Sequence, residues 1–237
     1  MKASFSARDV VQPKLAAQLL QKYGSPLYVY REAIIKEKAS RLLKAGDGFK
    51  ISYALKANTN RHLVSIIREA GVNHVDTVSP GEIHKALQVG YESSQIMYTE
   101  NFISEEEMNY ALEKGVTLNI GALSTLQHFG ERLKGKNIFI RINPELGAGS
   151  SYHVITGGPK SKFGIYHHDL EEVIKVAQQH DIHIVGLHQH IGSNMKKKDD
   201  ATMLQAMQYT FDLVERFPEV SEVNIGGGLG VVYREGE

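Results

Sequence analysis

The chain contains no cysteine. Disulfides and thiolate chemistry are therefore excluded within it. It also carries no net charge, with 27 Lys plus Arg against 27 Asp plus Glu. Without a field to concentrate polyanions, nucleic acid is not an expected partner. No stretch approaches the roughly 18 apolar residues of a membrane helix. The first twelve residues hold no sustained apolar run and read as neither secretory signal nor anchor. Together these absences exclude a membrane partner and lead to the expectation of a cytoplasmic protein. Low-complexity tracts and long linkers are missing as well. What remains is 237 residues, 42% hydrophobic and 23% charged, ordinary for one large soluble domain.

The positive signal is alternation. Short β-rich runs stand at 50–54, 73–78, 95–98, 117–120, 137–142, 183–187 and 222–225. Amphipathic helical stretches fall between them, at 61–70, 80–89, 105–114, 123–133, 168–180 and 199–217. Strand following helix in this order predicts parallel strands with right-handed crossovers, an α/β fold. The regular period, with reactive residues after successive strands, favours a TIM (β/α)8-type barrel over an open doubly wound sheet. A further apolar run at 26–30, ahead of a helix at 32–44, is expected as a first or accessory strand. The expected organisation is an N-terminal helical segment, 1–25, and a barrel domain, 26–237. Two helix starts carry caps: Ser79 with Pro80 and Glu82, and Ser104 with Glu107, flanked by Ile103 and Met108 as a hydrophobic staple.

Several residue types fall where strands end. Lys56, in Tyr53-Ala54-Leu55-Lys56-Ala57-Asn58, shares a strand face with the small Ser52 and Ala54. In an apolar pocket such an amine loses hydration and becomes a nucleophile toward carbonyls. Gly226, Gly227 and Gly228 follow the last strand directly, and their backbone N–H groups suit a phosphate. His188 and His190, in His188-Gln189-His190-Ile191-Gly192-Ser193, read either as a metal pair or as a platform for a flat ring. Asp76 and Ser79 end one strand and Arg141 another, the arginine suited to a carboxylate or anion. The long loop that follows, through residues 157–165, is expected to be functional. A metal-dependent hydrolase could recruit His74 and Asp76 beside the two histidines. The ligand order is poor and the glycine turn would have no role, so no metal is expected.

The stretches 53–58, 75–82, 141–144, 161–165, 186–193 and 224–230 occur in the order found in a known family. The chain resembles the pyridoxal 5'-phosphate-dependent, barrel-type amino-acid decarboxylases of alanine racemase-like fold, most closely the diaminopimelate decarboxylases. The resemblance implies that Lys56 bonds the cofactor, that His190 stacks on its ring, and that Ser193 with Gly226, Gly227 and Gly228 holds its phosphate. Asp76 would lie near the lysine and the ring histidine, and Arg141 in the cofactor wall, with Lys56, His190 and Asp76 as the catalytic set. Gln189 departs from the family pattern, which often has cysteine there. The implied lyase reaction is decarboxylation of meso-diaminopimelate to L-lysine, in lysine biosynthesis. Related alternatives are ornithine, arginine or carboxynorspermidine decarboxylation, or a non-catalytic cofactor-binding barrel. Family members are far longer, with a further barrel segment, a C-terminal β-domain and sites shared in a homodimer. Only residues 231–237 follow the glycine turn, so the expectation is a barrel truncated before its last strand, of weak or no activity by itself.

Overall fold

The structure is a computed structural model and describes residues 11–150 and 154–231. Two helices open it, α1 (Pro13–Tyr23) and α2 (Glu32–Ala45), and neither has a buried residue. Then come β1 (Ser52–Ala54), α3 (Arg61–Glu69), β2 (His74–Thr77), α4 (Pro80–Val89), β3 (Ile96–Thr99), α5 (Glu105–Lys114), β4 (Thr117–Ile120), α6 (Leu123–Phe129), β5 (Asn137–Ile142), α7 (Leu170–Gln179), β6 (His183–Gln189), α8 (Asp200–Asp212) and β7 (Glu222–Asn224). The strands pair in sequence order, all parallel, as one seven-stranded sheet. The helices α6, α7 and α8 are shorter than the amphipathic stretches predicted, because each hands over at one end to a 3₁₀ turn.

Both predicted caps form. Ser79 Oγ accepts from the Glu82 N–H at 3.3 Å, while Glu82 Oε2 reaches back to the Val78 N–H at 2.8 Å. Ser104 and Glu107 make the reciprocal pair at the start of α5. Each such cap satisfies N–H groups that a helix start otherwise leaves without partners.

The sheet curls. Lys50 Nζ, just before β1, lies 2.5 Å from Glu222 Oε1 on β7, although the two edge strands do not pair. Asn224 on β7 also reaches Met97 Sδ on β3, 3.7 Å away. The outer face carries the core: Val75, Ile96, Leu118, Ile120, Ile138, Ile140 and Leu187 pack with Val64, Ile83, Met108, Leu126 and Val173 of the helices. Each such side chain contributes about 1.5–3 kcal/mol when fully buried. The stabilising surface is thus the outside of the curl, which leaves the inner face free for polar residues.

One irregularity aims that inner face. Ile138 pairs with Ile184 but Phe139 pairs with Gly186, so Val185 is an extra residue on β6. The bulge re-phases the strand. Ile184 and Leu187 both join the outer core, and His188 lands opposite Arg141 on the inner side. Gly186 is required there, since a Cβ would sit 2.2 Å from the Phe139 ring.

The run at 26–30 is not a strand. Residues 27–30 have no regular secondary structure, are exposed, Tyr28 at 86%, and pair with nothing in the sheet. A β-favouring composition without a partner edge does not make a strand. The predicted N-terminal segment is helical over α1, and its residues 1–10 lie outside the described residues.

Gly186→Ala is expected to destabilise the chain by about 1–3 kcal/mol, the range for an overpacked core. Adding Phe139→Leu should recover much of that loss in urea unfolding. Additive losses in the double variant would contradict the ring contact.

Candidate active site

The residues singled out by type gather at the C-terminal ends of the strands. Leu55, fully buried, anchors a 3₁₀ turn over residues 55–57 directly after β1. Tyr53 Oη donates to the Asn58 carbonyl at 3.2 Å and closes that turn. Lys56 stands on its crest and is exposed, so the predicted apolar pocket around the amine is not there. The strand ends at Ala54, and the turn lifts the side chain out of the barrel wall. Its charge nevertheless acts on Asp76, His188 and His190, which places all four around one mouth.

Asp76 pairs in register with Ala54, two positions before Lys56. Its Oδ1 accepts from Thr99 Oγ1 at 2.5 Å. Burial raises its pKa, opposed by the Thr99 hydrogen bond and by the charges of Lys56 and Arg141. It sits deep among protein atoms, and the upward push reflects that depth. Ser79 is not at the mouth chemically, because its hydroxyl is committed to the helix cap.

Arg141 is buried at 8% exposure. Its Nη2 donates to the His190 carbonyl at 3.3 Å, and its guanidinium lies 4.9 Å from the centre of the Phe163 ring. Burial lowers its pKa to about 10, resisted by Asp76 and Glu100. It therefore remains a cation at neutral pH.

The two histidines part company. His188 is inside β6, and its Nδ1 lies 2.7 Å from Asn119 Nδ2. His190 lies beyond the strand end, and its Nδ1 accepts from the Gly227 N–H at 3.3 Å. Burial, then the Arg141 charge, lowers both pKa values, that of His190 to about 4. Both rings are neutral at physiological pH. With each Nδ1 already engaged, the metal-pair reading loses two of its donors. Among the described residues no group of three His, Asp or Glu side chains is placed to hold a metal ion.

The glycine turn is more occupied than predicted. Gly226 N–H is bonded to Asn224 Oδ1 and Gly227 N–H to His190. A phosphate here has to compete with those acceptors for the same donors. The close fit is real: Cβ atoms at Gly226 and Gly228 would fall 2.3 Å from the Gln189 carbonyl oxygen and 2.0 Å from that of Gly192. At Gly227 a Cβ would meet nothing within 4 Å. A turn seated on Gln189 and Gly192, with open space over its middle residue, fits an anionic group of modest size. Ser193 is half-buried beside it, and its carbonyl accepts from Ser150 of the long loop. That loop packs on the segment beyond β6 and on α8, Ala148 joining Ile191, Met195 and Ala206 in a small second core.

Three polar positions among these residues escaped the sequence reading: Thr99, Glu100 and Asn119. Glu100 is 3% exposed and accepts from the Gly121 N–H at 2.7 Å; its pKa is raised by burial. Asn119 is fully buried in the strand sequence Thr117-Leu118-Asn119-Ile120. A polar residue at an inward position of a buried strand was the available signal.

Comparison with known proteins agrees with this architecture. Residues 32–237 match the family described as pyridoxal-dependent decarboxylase, pyridoxal binding domain. A diaminopimelate decarboxylase of Methanothermobacter thermautotrophicus is 39% identical over 228 residues, 92% of this chain and 53% of that protein. The Escherichia coli K12 diaminopimelate decarboxylase is 34% identical over 224 residues, covering 93% of this chain and 52% of its own. The crystal structure of Helicobacter pylori diaminopimelate decarboxylase complexed with L-lysine superposes with a TM-score of 0.82 at 27% identity, over 94% of this chain and 59% of the other. The chain spans about half the length of the curated relatives it matches. A parallel curled sheet with its polar rim at the strand ends, matched over nearly all its length, makes this chain a member of the pyridoxal-dependent decarboxylase family.

Proposed function

We propose that the chain holds pyridoxal 5'-phosphate at the barrel mouth and serves the decarboxylation of an amino acid, meso-diaminopimelate to L-lysine. The observation that carries the reading is the convergence of Lys56, Asp76, Arg141, His188 and His190 on one rim, with His190 tied to the glycine turn. When bound, the cofactor supplies an electron sink for the pair left by carbon dioxide. The chain's own residues do the rest. Lys56, on its raised turn, offers an amine above the strand ends. His190, neutral, presents a flat uncharged ring. Ser193 and the turn of Gly226, Gly227 and Gly228 hold the phosphate, Gly227 N–H passing from His190 to the anion. Arg141 keeps a fixed positive charge beside the histidines, and Asp76 balances it while facing Lys56. The substrate preference draws on the relatives, which are diaminopimelate decarboxylases, one of them crystallised with L-lysine. A homodimer and a cytoplasmic setting belong to the same reading and rest on the resemblance.

The test is reductive capture. The chain is incubated with pyridoxal 5'-phosphate, treated with borohydride and digested. One reduced cofactor is expected on the Lys56 peptide, and none in Lys56→Ala. Label spread over surface lysines, or unchanged by Lys56→Ala, would overturn the assignment. Carbon dioxide release from meso-diaminopimelate by residues 1–237 is expected to be weak, yet above that from ornithine or arginine. The reverse preference would move the substrate class.

The neutral His190 gives a pH prediction. Its folded pKa, about 4, lies below the usual value of about 6.5 for the unfolded chain. The unfolded state therefore binds more protons between those values, and stability falls as pH drops through that window. After discounting for partial exposure, the contribution is about 2 kcal/mol. Asp76 and Glu100, with raised pKa values, act in the opposite sense. The readout is therefore the difference in urea stability between wild type and His190→Gln. It is expected to shift against wild type on acidification from about pH 6.5 to about pH 4. A difference flat with pH would contradict a neutral, buried ring.

A further inference from the structure

Four strands contribute one residue each to a continuous line of hydrogen bonds across the mouth. Thr99 Oγ1 on β3 lies 2.5 Å from Asp76 Oδ1 on β2. Asn119 Nδ2 on β4 lies 3.0 Å from Thr99 Oγ1 and 2.7 Å from His188 Nδ1 on β6. Asn119 is fully buried and His188 is 7% exposed, so water does not compete for these groups.

The polarity of the line follows from one end. An ionised Asp76 can only accept, so the single Thr99 proton points to it. Thr99 then has only lone pairs to offer Asn119, which must present its NH₂. That NH₂ also faces His188, and a nitrogen without an available lone pair forces Nδ1 to be the acceptor. The proton of a neutral imidazole is then on Nε2.

The reversed polarity needs a protonated Asp76 and the opposite amide orientation. In the present orientation Asn119 Oδ1 is buried without a partner. Turning the amide would bury an NH₂ with two donors in that same place. Unpaired buried carbonyls are tolerated better than unpaired buried donors. A doubly protonated ring is opposed as well, first by its burial and then by the positive charges of Arg141 and Lys56.

We infer that Asn119 is a positioning residue that locks His188 as the Nε2–H tautomer, making it a fixed hydrogen-bond donor to an oxygen acceptor on a ligand in the mouth. The proposed function supplies only the identity of that ligand. His188 is thereby a donor and not a general base, and Asp76 is the origin of its orientation three hydrogen bonds away.

The experiment reads the tautomer directly, in the chain without cofactor, so its failure is separate from failure of the cofactor assignment. Histidine ring nitrogens of the ¹⁵N-labelled chain are correlated with their carbon-bound protons by NMR, and His188 is assigned from the signal lost in His188→Gln. Wild type at neutral pH is expected to show a pyridine-type Nδ1 and a pyrrole-type Nε2. Asn119→Asp offers the ring only acceptors, so the ring is expected to invert to Nδ1–H or to take a second proton. Wild-type Nδ1–H, or an imidazolium at neutral pH, overturns the inference whatever the variants do. An unchanged Nε2–H ring in a folded Asn119→Asp, judged by circular dichroism, overturns it too.

Discussion

A guanidinium buried at the end of a parallel strand dictates the electrostatics of the whole mouth. Arg141 is almost without water, and such a cation is tolerated only when countercharges and acceptors surround it. Two acids answer it, Asp76 from β2 and Glu100 from the end of β3. Burial first, and then this same charge, keeps both imidazoles neutral. It also holds the backbone beyond β6, by donating to the His190 carbonyl, where Thr156 of the long loop donates as well. Removing one member would leave the others as uncompensated buried charges, which costs more than the pair was worth. The rim is therefore a single electrostatic unit assembled from strands far apart in sequence.

Much of that unit was legible before any coordinates. Strand and helix periodicity located every strand of the sheet, because each strand buries one face against helices and reads as an apolar run. Lys56, Asp76, Arg141, His190 and the glycine turn were singled out because reactive types stood at strand ends, where barrels carry their sites. The unread part has a common physical origin. Thr99 and Asn119 are polar residues of ordinary kind, and only the bonds they make across strands give them meaning. Which side of β6 faces inward could not be read from alternation, since the extra residue Val185 shifts the phase. The pocket expected around Lys56 failed for a similar reason: alternation was carried past Ala54, where the chain has already turned into a 3₁₀ helix.

The edges of the sheet tell a complementary story. β1 and β7 are each three residues long and do not pair, yet Lys50 and Glu222 meet between them. Neighbouring strands stand about 4.8 Å apart, whereas two long side chains reaching toward each other span more than that. The curl thus brings its edges near without closing them. An exposed pair like this contributes little by itself. It records the curvature set by the apolar outer layer and by sheet twist. The segment before β1 shows the opposite balance: α1 and residues 27–30 expose Leu15, Leu20, Tyr28 and Tyr30, so apolar composition there does not define a core.

The inner face explains why chemistry collects at one end. Below Arg141 and His188, the Phe139 ring fills the space that a side chain on Gly186 would take. Asn224 meets Met97 from the opposite side of the curl. Asn224 and Met97 stand in register with His188 and Asp76, so this contact shares a layer with the two ends of the line from Asp76 through Thr99 and Asn119 to His188. Its buried amide has one direction of least cost, and that direction is set by a carboxylate whose charge is opposed by burial and favoured by the Thr99 hydrogen bond, Lys56 and Arg141. The orientation of one ring in β6 is in this way a consequence of charge placed on β2, β5 and the turn after β1, transmitted by hydrogen bonds that exist only because the sheet is parallel, ordered and curled.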